Sequence, residues 1–377
     1  MVRPATAGDD VRIWGLDHIE RLRRIGQRIG VADVADMDET DEAATPAAGT
    51  TLLMAAHVLL EDRLMAALLD APGVVLTEGA PVAVCCDAAR AAEATEIIRS
   101  GQVPANGGWT TATAEAPRFA YNAVLRKRAV PFVLNTRTMP RRDIEWRMFG
   151  ASYKGATDFV TKWLWPLPAF HATRASAALG LSPNFITLIS LFFVIAAFVL
   201  FAGGHFGWGL AAAWTMTFLD TVDGKLARVT VTSSKWGNVF DHGIDMVHPP
   251  FWWWAWTMGL ATIMGAEVSG LVDVALWIVI GGYVVGRLIE GAFIARFKFE
   301  MHVWRPFDFW LRTITARRNP NLAILTVGTA LGAPEGAFVA VAAWTGVCLA
   351  LHLARLIQAM TTTDAVDSFL AAGTQQP

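Results

Sequence analysis

Hydrophobic positions are distributed along this chain in two regimes. Up to about residue 150 they come in short bursts separated by polar stretches, and beyond Pro183 they come in runs long enough to cross a bilayer. In the first regime Ile13 to Ile29 is Arg-rich with a helical period, and the acidic run Asp33 to Glu42 reads as a solvated loop. Leu52 to Ala56, Val74 to Thr77 and Val82 to Cys86 read as strands, interleaved with helix formers at Glu61 to Leu69 and Ala88 to Ile98. Such alternation predicts a small α/β domain with a largely parallel sheet over residues 1–150. The basic stretches Leu125 to Pro131 and Arg137 to Arg147 then lead toward the apolar part.

From Thr157 to Leu179 aromatic residues mix with Lys162, His171 and Arg174, the pattern of an interfacial helix lying along lipid headgroups. Six spans follow, near 184–203, 207–229, 238–263, 271–295, 321–335 and 337–359, the fifth being short. The predicted fold is thus an α-helical integral membrane domain, residues 151–362, with six transmembrane helices and an N-terminal interfacial helix. A cytosolic α/β domain precedes it, and residues 363–377 form a cytoplasmic tail. The joints at 203–207, 265–270 and 332–336 carry no Lys or Arg, whereas the turn after the second span holds Lys225, Arg228 and Lys235. The connection after the fourth holds Arg296, Lys298, Arg305, Arg312, Arg317 and Arg318. By the positive-inside rule both termini and the basic turns face the cytoplasm. Phe251-Trp-Trp-Trp-Ala-Trp then falls in the outer half of the third span and reads as a lipid-facing aromatic anchor.

Composition agrees, with 54% hydrophobic and 17% charged residues, against roughly 25% charged in soluble domains. The net charge of −2 argues against nucleic acid as a partner, and the start of the chain shows no apolar secretory segment. Three cysteines, Cys85, Cys86 and Cys348, make neither a disulfide framework nor a four-ligand zinc site, so any metal chemistry uses oxygen ligands.

Four carboxylates stand where a membrane segment should have none. Asp220 and Asp223, three apart, end the second span, and Asp241 and Asp245, four apart, begin the third. Together they form a hard-oxygen cage suited to Mg²⁺ or Mn²⁺, with room for two ions. Gly224, Ala227 and Gly237 leave a bare patch for a flat base or diphosphate, and Arg228 either bridges a phosphate bidentately or pairs with a carboxylate. Ser234 and Lys235, on the turn with Thr232 and Ser233, either cap the third span or touch phosphate. Asn184 and Thr187 open the first span after Ser182-Pro183. Arg287 and Glu290, three apart inside the fourth span, either neutralise one another or bind the acceptor. His302, Arg305, Arg312, Arg317 and Arg318 follow the membrane surface, with Arg305 a candidate acceptor ligand. His242 and His248 flank the acidic helix as neighbours of the ligands rather than as ligands themselves.

The string Asp220-x-x-Asp223-Gly224-x-x-Ala227-Arg228, eight residues, then Gly237-x-x-x-Asp241-x-x-x-Asp245 resembles the signature of the CDP-alcohol phosphotransferase family. The resemblance covers about residues 155–360. It implies that Asp220, Asp223 and Asp241 hold metal against a diphosphate, that Asp245 completes the metal site and is the general base, and that the Gly, Ala and Arg positions line the CDP pocket. The implied reaction is attack of an acceptor hydroxyl on the CDP-linked phosphate with release of CMP, in phospholipid synthesis. The donor is either CDP-diacylglycerol, which the basic cytoplasmic mouth favours when paired with a small polyol or polyol-phosphate acceptor, or a soluble CDP-polyol with a lipid or polyol-phosphate acceptor. A cation transporter built on the Asp cluster is the alternative of another class, although no second copy of the Asp pattern occurs in residues 270–360. Membrane lipids are expected neighbours, and Trp-rich surfaces would suit a homodimer. The head resembles a nucleotidyltransferase-like domain. It has no Gly-rich basic loop before Thr50, and His57 stands where a metal-binding Asp is expected, so it reads as a degenerate copy with a structural, regulatory or substrate-channelling role.

Overall fold

A computed structural model describes residues 2–3, 11–36, 49–233, 235–265 and 270–371; within these ranges the side chains of 2–3, 35–36, 235–236, 238 and 240–242 are not described. The chain divides into two compact units, Met1–Tyr153 with Arg228–Thr232 and Gly373–Pro377, and Lys154–Ala227 with Ser233–Ala372.

The first unit contains strands β1 (Val2–Arg3), β2 (Ala35–Asp36), β3 (Thr50–Met54), β4 (Val58–Leu60), β5 (Val74–Thr77), β6 (Pro81–Asp87), β7 (Thr110–Ala112), β8 (Tyr121–Asn122), β9 (Lys127–Arg128) and β10 (Val133–Asn135). Its helices are α1 (His18–Ile29), α2 (Asp62–Leu69), α3 (Ala91–Ser100), α4 (Pro117–Ala120) and α5 (Arg141–Ala151). The main sheet has the order β2-β1-β3-β6-β5-β7. It is mixed rather than largely parallel: β6 runs antiparallel to both β3 and β5, while β1 pairs in parallel with β2 and β3, and β5 with β7. The cause lies in Glu78-Gly79-Ala80, too short for a crossover helix. Gly79 takes φ +78° and the Glu78 N–H donates to the Ala80 carbonyl at 2.9 Å, so the chain reverses as a hairpin.

Alternation along β6 sorts its side chains to two faces. Cys85 packs with Leu22, Leu64 and Leu68 on one face, Cys86 with Ala94 and Ile97 on the other. The two neighbouring thiols therefore point away from each other. Burial pushes Cys85 up to about 12 and Cys86 up to about 11. Asp17 caps α1 by accepting the Glu20 N–H at 2.7 Å, and Gly30 closes the helix in the left-handed region at φ +80°.

The second unit is helical: α6 (Pro166–Ala178), α7 (Pro183–Ala202), α8 (Phe206–Val229, which crosses into the first unit at Arg228), α9 (Lys235–Met264), α10 (Gly270–Phe297), α11 (Pro306–Ile314), α12 (Arg318–Ala330) and α13 (Pro334–Thr361). Among the described residues α7, α10 and α13 are long and apolar enough to cross a membrane. Helices also occupy the other three stretches read as spans, α12 being the short one at 13 residues. The interfacial stretch is α6 preceded by a π-turn at Val160–Leu164, capped by Asp158, whose Oδ1 accepts from the Thr161 N–H at 3.0 Å. Asn319 Nδ2 reaches the same oxygen at 2.9 Å and fixes this turn to α12.

The aromatic run of α9 does not form a lipid-facing anchor as a whole. Trp252, Trp253 and Trp256 lie in the core with Phe201, Phe206 and Phe338, and only Phe251 and Trp254 are exposed. Helical geometry explains the split, because consecutive residues cannot all share one face. Buried Trp N–H groups find partners: Trp252 donates to the Val194 carbonyl at 2.9 Å and Trp256 to the Pro334 carbonyl at 3.3 Å. Gly259 lets α7 and α9 approach closely, since a Cβ there would sit 1.9 Å from the Phe201 carbonyl oxygen.

Candidate active site

Helix α8 delivers Asp220 and Asp223 one turn apart, α9 delivers Asp245, α12 opens on Arg318, and α7 carries Thr187 one turn after its start. Arg318 joins two of these helices. Its Nη2 donates to Asp220 Oδ2 and its Nη1 to Asp245 Oδ1, both at 2.5 Å. Two carboxylates from different helices thus converge on one guanidinium, a spacing set by its rigid fork. Asp223 is 3% exposed, and its Oδ2 accepts from the Thr187 hydroxyl at 2.6 Å. The side chain of Asp220 is 18% exposed and that of Asp245 39%. The cluster therefore grades from a buried floor at Asp223 to an open mouth at Asp245.

Gly224, Ala227, Arg228 and Gly237 are half-buried. Ser234 lies outside the described residues, and so do the side chains of Asp241, Lys235 and His242. Asn184 is exposed, and among the described residues no hydrogen bond joins it to the carboxylates. Arg305 is exposed too and caps the start of α11, its guanidinium 5.3 Å from the Trp304 ring centroid. His248 is buried, with Nδ1 spent on the Ile244 carbonyl at 2.7 Å.

Arg317 and Arg318, read from the sequence as surface cations, are drawn inward. Arg318 places one positive charge between Asp220 and Asp245, which meets part of the electrostatic problem the four Asp pose. Arg317 turns the other way: its Nη2 donates to Glu290 Oε1, while Arg287 Nη1 donates to Glu290 Oε2 at 3.1 Å. His302 Nε2 lies 3.3 Å from Glu290 Oε1, and burial drives this imidazole down to about 3, so it is neutral. The sequence left Arg287 and Glu290 either neutralising one another or binding the acceptor, and the structure pairs them. What sequence reasoning missed was Arg318 as counter-ion, Arg317 in the second cluster, and Thr187 on Asp223. The signal available for Arg318 was its place as the first residue of an apolar segment directly after a second arginine.

The carboxylates are hard-oxygen donors of the kind Mg²⁺ or Mn²⁺ takes; among the described residues no three acidic, His or Cys side chains are grouped to hold one ion, and the facing oxygens of Asp220 and Asp245 hold the Arg318 guanidinium between them.

Residues 180–351 match the family CDP-alcohol phosphatidyltransferase. The phosphatidylinositol phosphate synthase of Streptomyces avermitilis is 38% identical over 95 residues, which are 25% of this chain and 37% of that protein. The archaetidylinositol phosphate synthase of Pyrococcus horikoshii is 32% identical over 121 residues, 31% of this chain and 58% of that protein. The chain thus spans between about a third and three fifths of the length of these relatives. Among solved structures, Mycobacterium tuberculosis phosphatidylinositol phosphate synthase with CDP-DAG bound matches 52% of this chain and 95% of that one, at 19% identity and a TM-score of 0.41.

Proposed function

We propose, from the match of residues 180–351 to the CDP-alcohol phosphatidyltransferase family, that this chain is an integral membrane phosphotransferase that moves a phosphatidyl group from CDP-diacylglycerol to an alcohol hydroxyl and releases CMP, in phospholipid biosynthesis. The observation that carries this reading is the convergence of Asp220 and Asp245 on Arg318, with Asp223 fixed by Thr187 at the floor. An apolar groove supports the lipid donor. It encloses about 400 Å³ and is lined by Leu191, Val194, Phe198, Ile244, Val247 and Trp252. Its rim lies beside the site, since Leu191 is one turn beyond Thr187 and Ile244 adjoins Asp245. An acyl chain fits such a lining; a soluble CDP-polyol has nothing to place there.

In the reaction the acceptor oxygen forms a bond to the phosphorus that bears diacylglycerol. The bond from that phosphorus to the bridging oxygen breaks, and CMP leaves with the electron pair. Asp245, more exposed than Asp220 and Asp223, takes the hydroxyl proton as general base. Asp220, Asp223, Asp241 and Asp245 would hold Mg²⁺ or Mn²⁺, as two ions, which supply charge neutralisation at the diphosphate. Gly224, Ala227, Arg228, Gly237 and Ser234 line the cytidine diphosphate; Arg287, Lys235, Asn184 and Arg305 are the acceptor-side candidates. On this reading six helices cross the membrane, with both termini and the site on the cytoplasmic side, which the Lys and Arg of the connections support. Residues 1–150 form a cytosolic nucleotidyltransferase-like domain that no longer makes the donor, 151–362 the enzyme and 363–377 a tail, and the chain works as a homodimer.

The test is CMP release by purified protein with Mg²⁺ and either CDP-diacylglycerol or soluble CDP-alcohols. Release with CDP-diacylglycerol supports the reading. Release only with a soluble donor reverses donor and acceptor, and none from any donor overturns the reading in favour of an ion site.

A further inference from the structure

Helix α8 ends inside the first unit, which takes in Arg228–Thr232. The last carbonyls of an α-helix lack partners within the helix, and here two arginines of α1 supply them. Arg21 Nη1 donates to the Val229 carbonyl and Arg24 Nη1 to the Thr230 carbonyl, each at 2.9 Å. Their spacing of three puts both on one face of α1, and cations suit the negative end of a helix dipole. Each guanidinium is tied a second time, Arg21 to the Ile13 carbonyl at 2.9 Å and Arg24 to Glu20. Arg21 is only 4% exposed, so it is not a loose surface charge.

Val231 supplies the second observation. It takes φ +54°, the left-handed region, where a β-branched side chain is a costly exception. Such a conformation persists only where its surroundings hold it. The head holds it: Val231 packs on the core that contains Leu22, Ile25 and Leu68, and its N–H donates to the Arg228 carbonyl at 3.3 Å, which closes the turn. This turn joins the helix of Asp220 and Asp223 to the helix of Asp245. At its start stands Arg228, a residue assigned above to the cytidine diphosphate.

We infer that α1 is a clamp, with Arg21 and Arg24 as positioning residues that fix the backbone of Arg228–Thr232 for the nucleotide of the donor. The inference rests on the reaction proposed above, and it gives the head a role that needs no nucleotidyl transfer of its own. The bonds of the two arginines go to backbone carbonyls and to Glu20, not to the reacting carboxylates. Their loss therefore weakens nucleotide binding equally in the ground and transition states, so that KM for the donor rises while kcat holds.

Three measurements on the full-length protein in detergent test the clamp: hydrogen exchange of the amides in 228–233, calorimetric binding of CMP in Mg²⁺, and CMP release from CDP-diacylglycerol with polyol acceptors. Arg24→Ala truncates a side chain that is 31% exposed, which spares the core. The turn should then exchange at least about tenfold faster, with residues 210–220 unchanged. The Kd of CMP and the KM of the donor should rise about fivefold or more at nearly constant kcat. Arg24→Lys keeps a donor and should recover most of both. Arg23→Ala removes the same charge from an exposed neighbour on α1 and should change none of these readings. Where Arg24→Ala does not fold, Arg24→Met keeps the apolar stem without the donor and carries the same expectations. Unaltered exchange of the turn overturns the clamp. So does a fall in kcat at constant KM, or an equal loss in Arg23→Ala, which would trace the effect to net charge. No CMP release by the native protein from any donor sinks the reaction instead, while the exchange of the turn still decides the clamp.

Discussion

Replacing Arg318 with methionine removes the one cation that the described structure places between Asp220 and Asp245. Arg318 and Asp220 have side chains only 15% and 18% exposed, so their pair belongs to the buried class. The Asp245 side chain, 39% exposed, is screened and contributes less. Leaving a buried charge without its partner costs about 3–5 kcal/mol. For a unit of this size that lowers the melting temperature by about 10 °C. Methionine fills much the same volume, so little of the loss comes from a cavity. A divalent ion supplies the missing charge, hence Mg²⁺ or Mn²⁺ should stabilise the variant more than the native protein. It should also bind the variant at least about tenfold tighter, because a guanidinium no longer repels it at short range. The assay is thermal unfolding in detergent with and without metal, which needs no substrate. A metal-free variant as stable as the native protein would refute Arg318 as the compensating charge. Weaker metal binding by the variant would show that Arg318 assists the ion instead of standing in for it.

Asp245→Asn keeps size and hydrogen bonding but cannot take a proton; CMP release should fall by about 10²-fold or more, with the fold retained, and unchanged turnover removes Asp245 from the chemistry. Thr187→Val deletes the hydroxyl that fixes Asp223; a loss of about 1–3 kcal/mol in transition-state stabilisation is expected from the burial of that carboxylate, read as kcat/KM. Asp308→Ala breaks a bidentate pair in which Arg355 Nε and Nη2 reach the carboxylate at 2.7 and 2.6 Å. With Asp308 nearly fully buried, unfolding should become easier by about 3–5 kcal/mol, seen as a lower melting temperature. Cys85 and Cys86 are held protonated by burial, at about 12 and 11. The thiolate is the reactive form, so alkylation at pH 8 should be about 100-fold or more slower in native than in urea-unfolded protein, and should rise as pH passes 10. Equal rates would place these thiols at the surface.

Sequence reading recovers what local pattern encodes. The spacing of Asp220, Asp223, Asp241 and Asp245 is legible because helix periodicity converts offsets of three and four into shared faces. The stretches read as spans coincide with α7 to α10, α12 and α13 within a few residues, because continuous apolar runs have clear ends. The sense of β6 was not legible from the alternation of strand and helix, since it depends on whether three residues can host a crossover; Glu78-Gly79-Ala80 cannot. The arginines failed for a different reason. Arg318 stands 98 residues from Asp220 and 73 from Asp245, and no local period reports which distant helix end meets which. Positive charge at a span boundary fits both a lipid-headgroup contact and an internal counter-ion, and only packing separates them.

That packing follows from the cost of charge in a membrane. Each carboxylate that the second unit draws away from water must be met by a donor, or the helices carrying it will not associate. Asp223 meets a hydroxyl, Asp308 meets Arg355, and Glu290 meets Arg287 and Arg317. Asp220 and Asp245 share Arg318. Two adjacent arginines therefore divide their charge between two acidic clusters, one on α8 and α9 and the other on α10. Arg317 is the extended N-cap residue, φ −130° and ψ −179°, and Arg318 the first helical one, and this change of backbone is what lets consecutive side chains serve different walls. If the shared backbone couples the clusters, Glu290→Gln, which frees Arg317 from its carboxylate, should also shift the metal-induced stabilisation at Asp220 and Asp245. Thermal unfolding with and without metal reads this, and an unchanged stabilisation shows two clusters that merely touch.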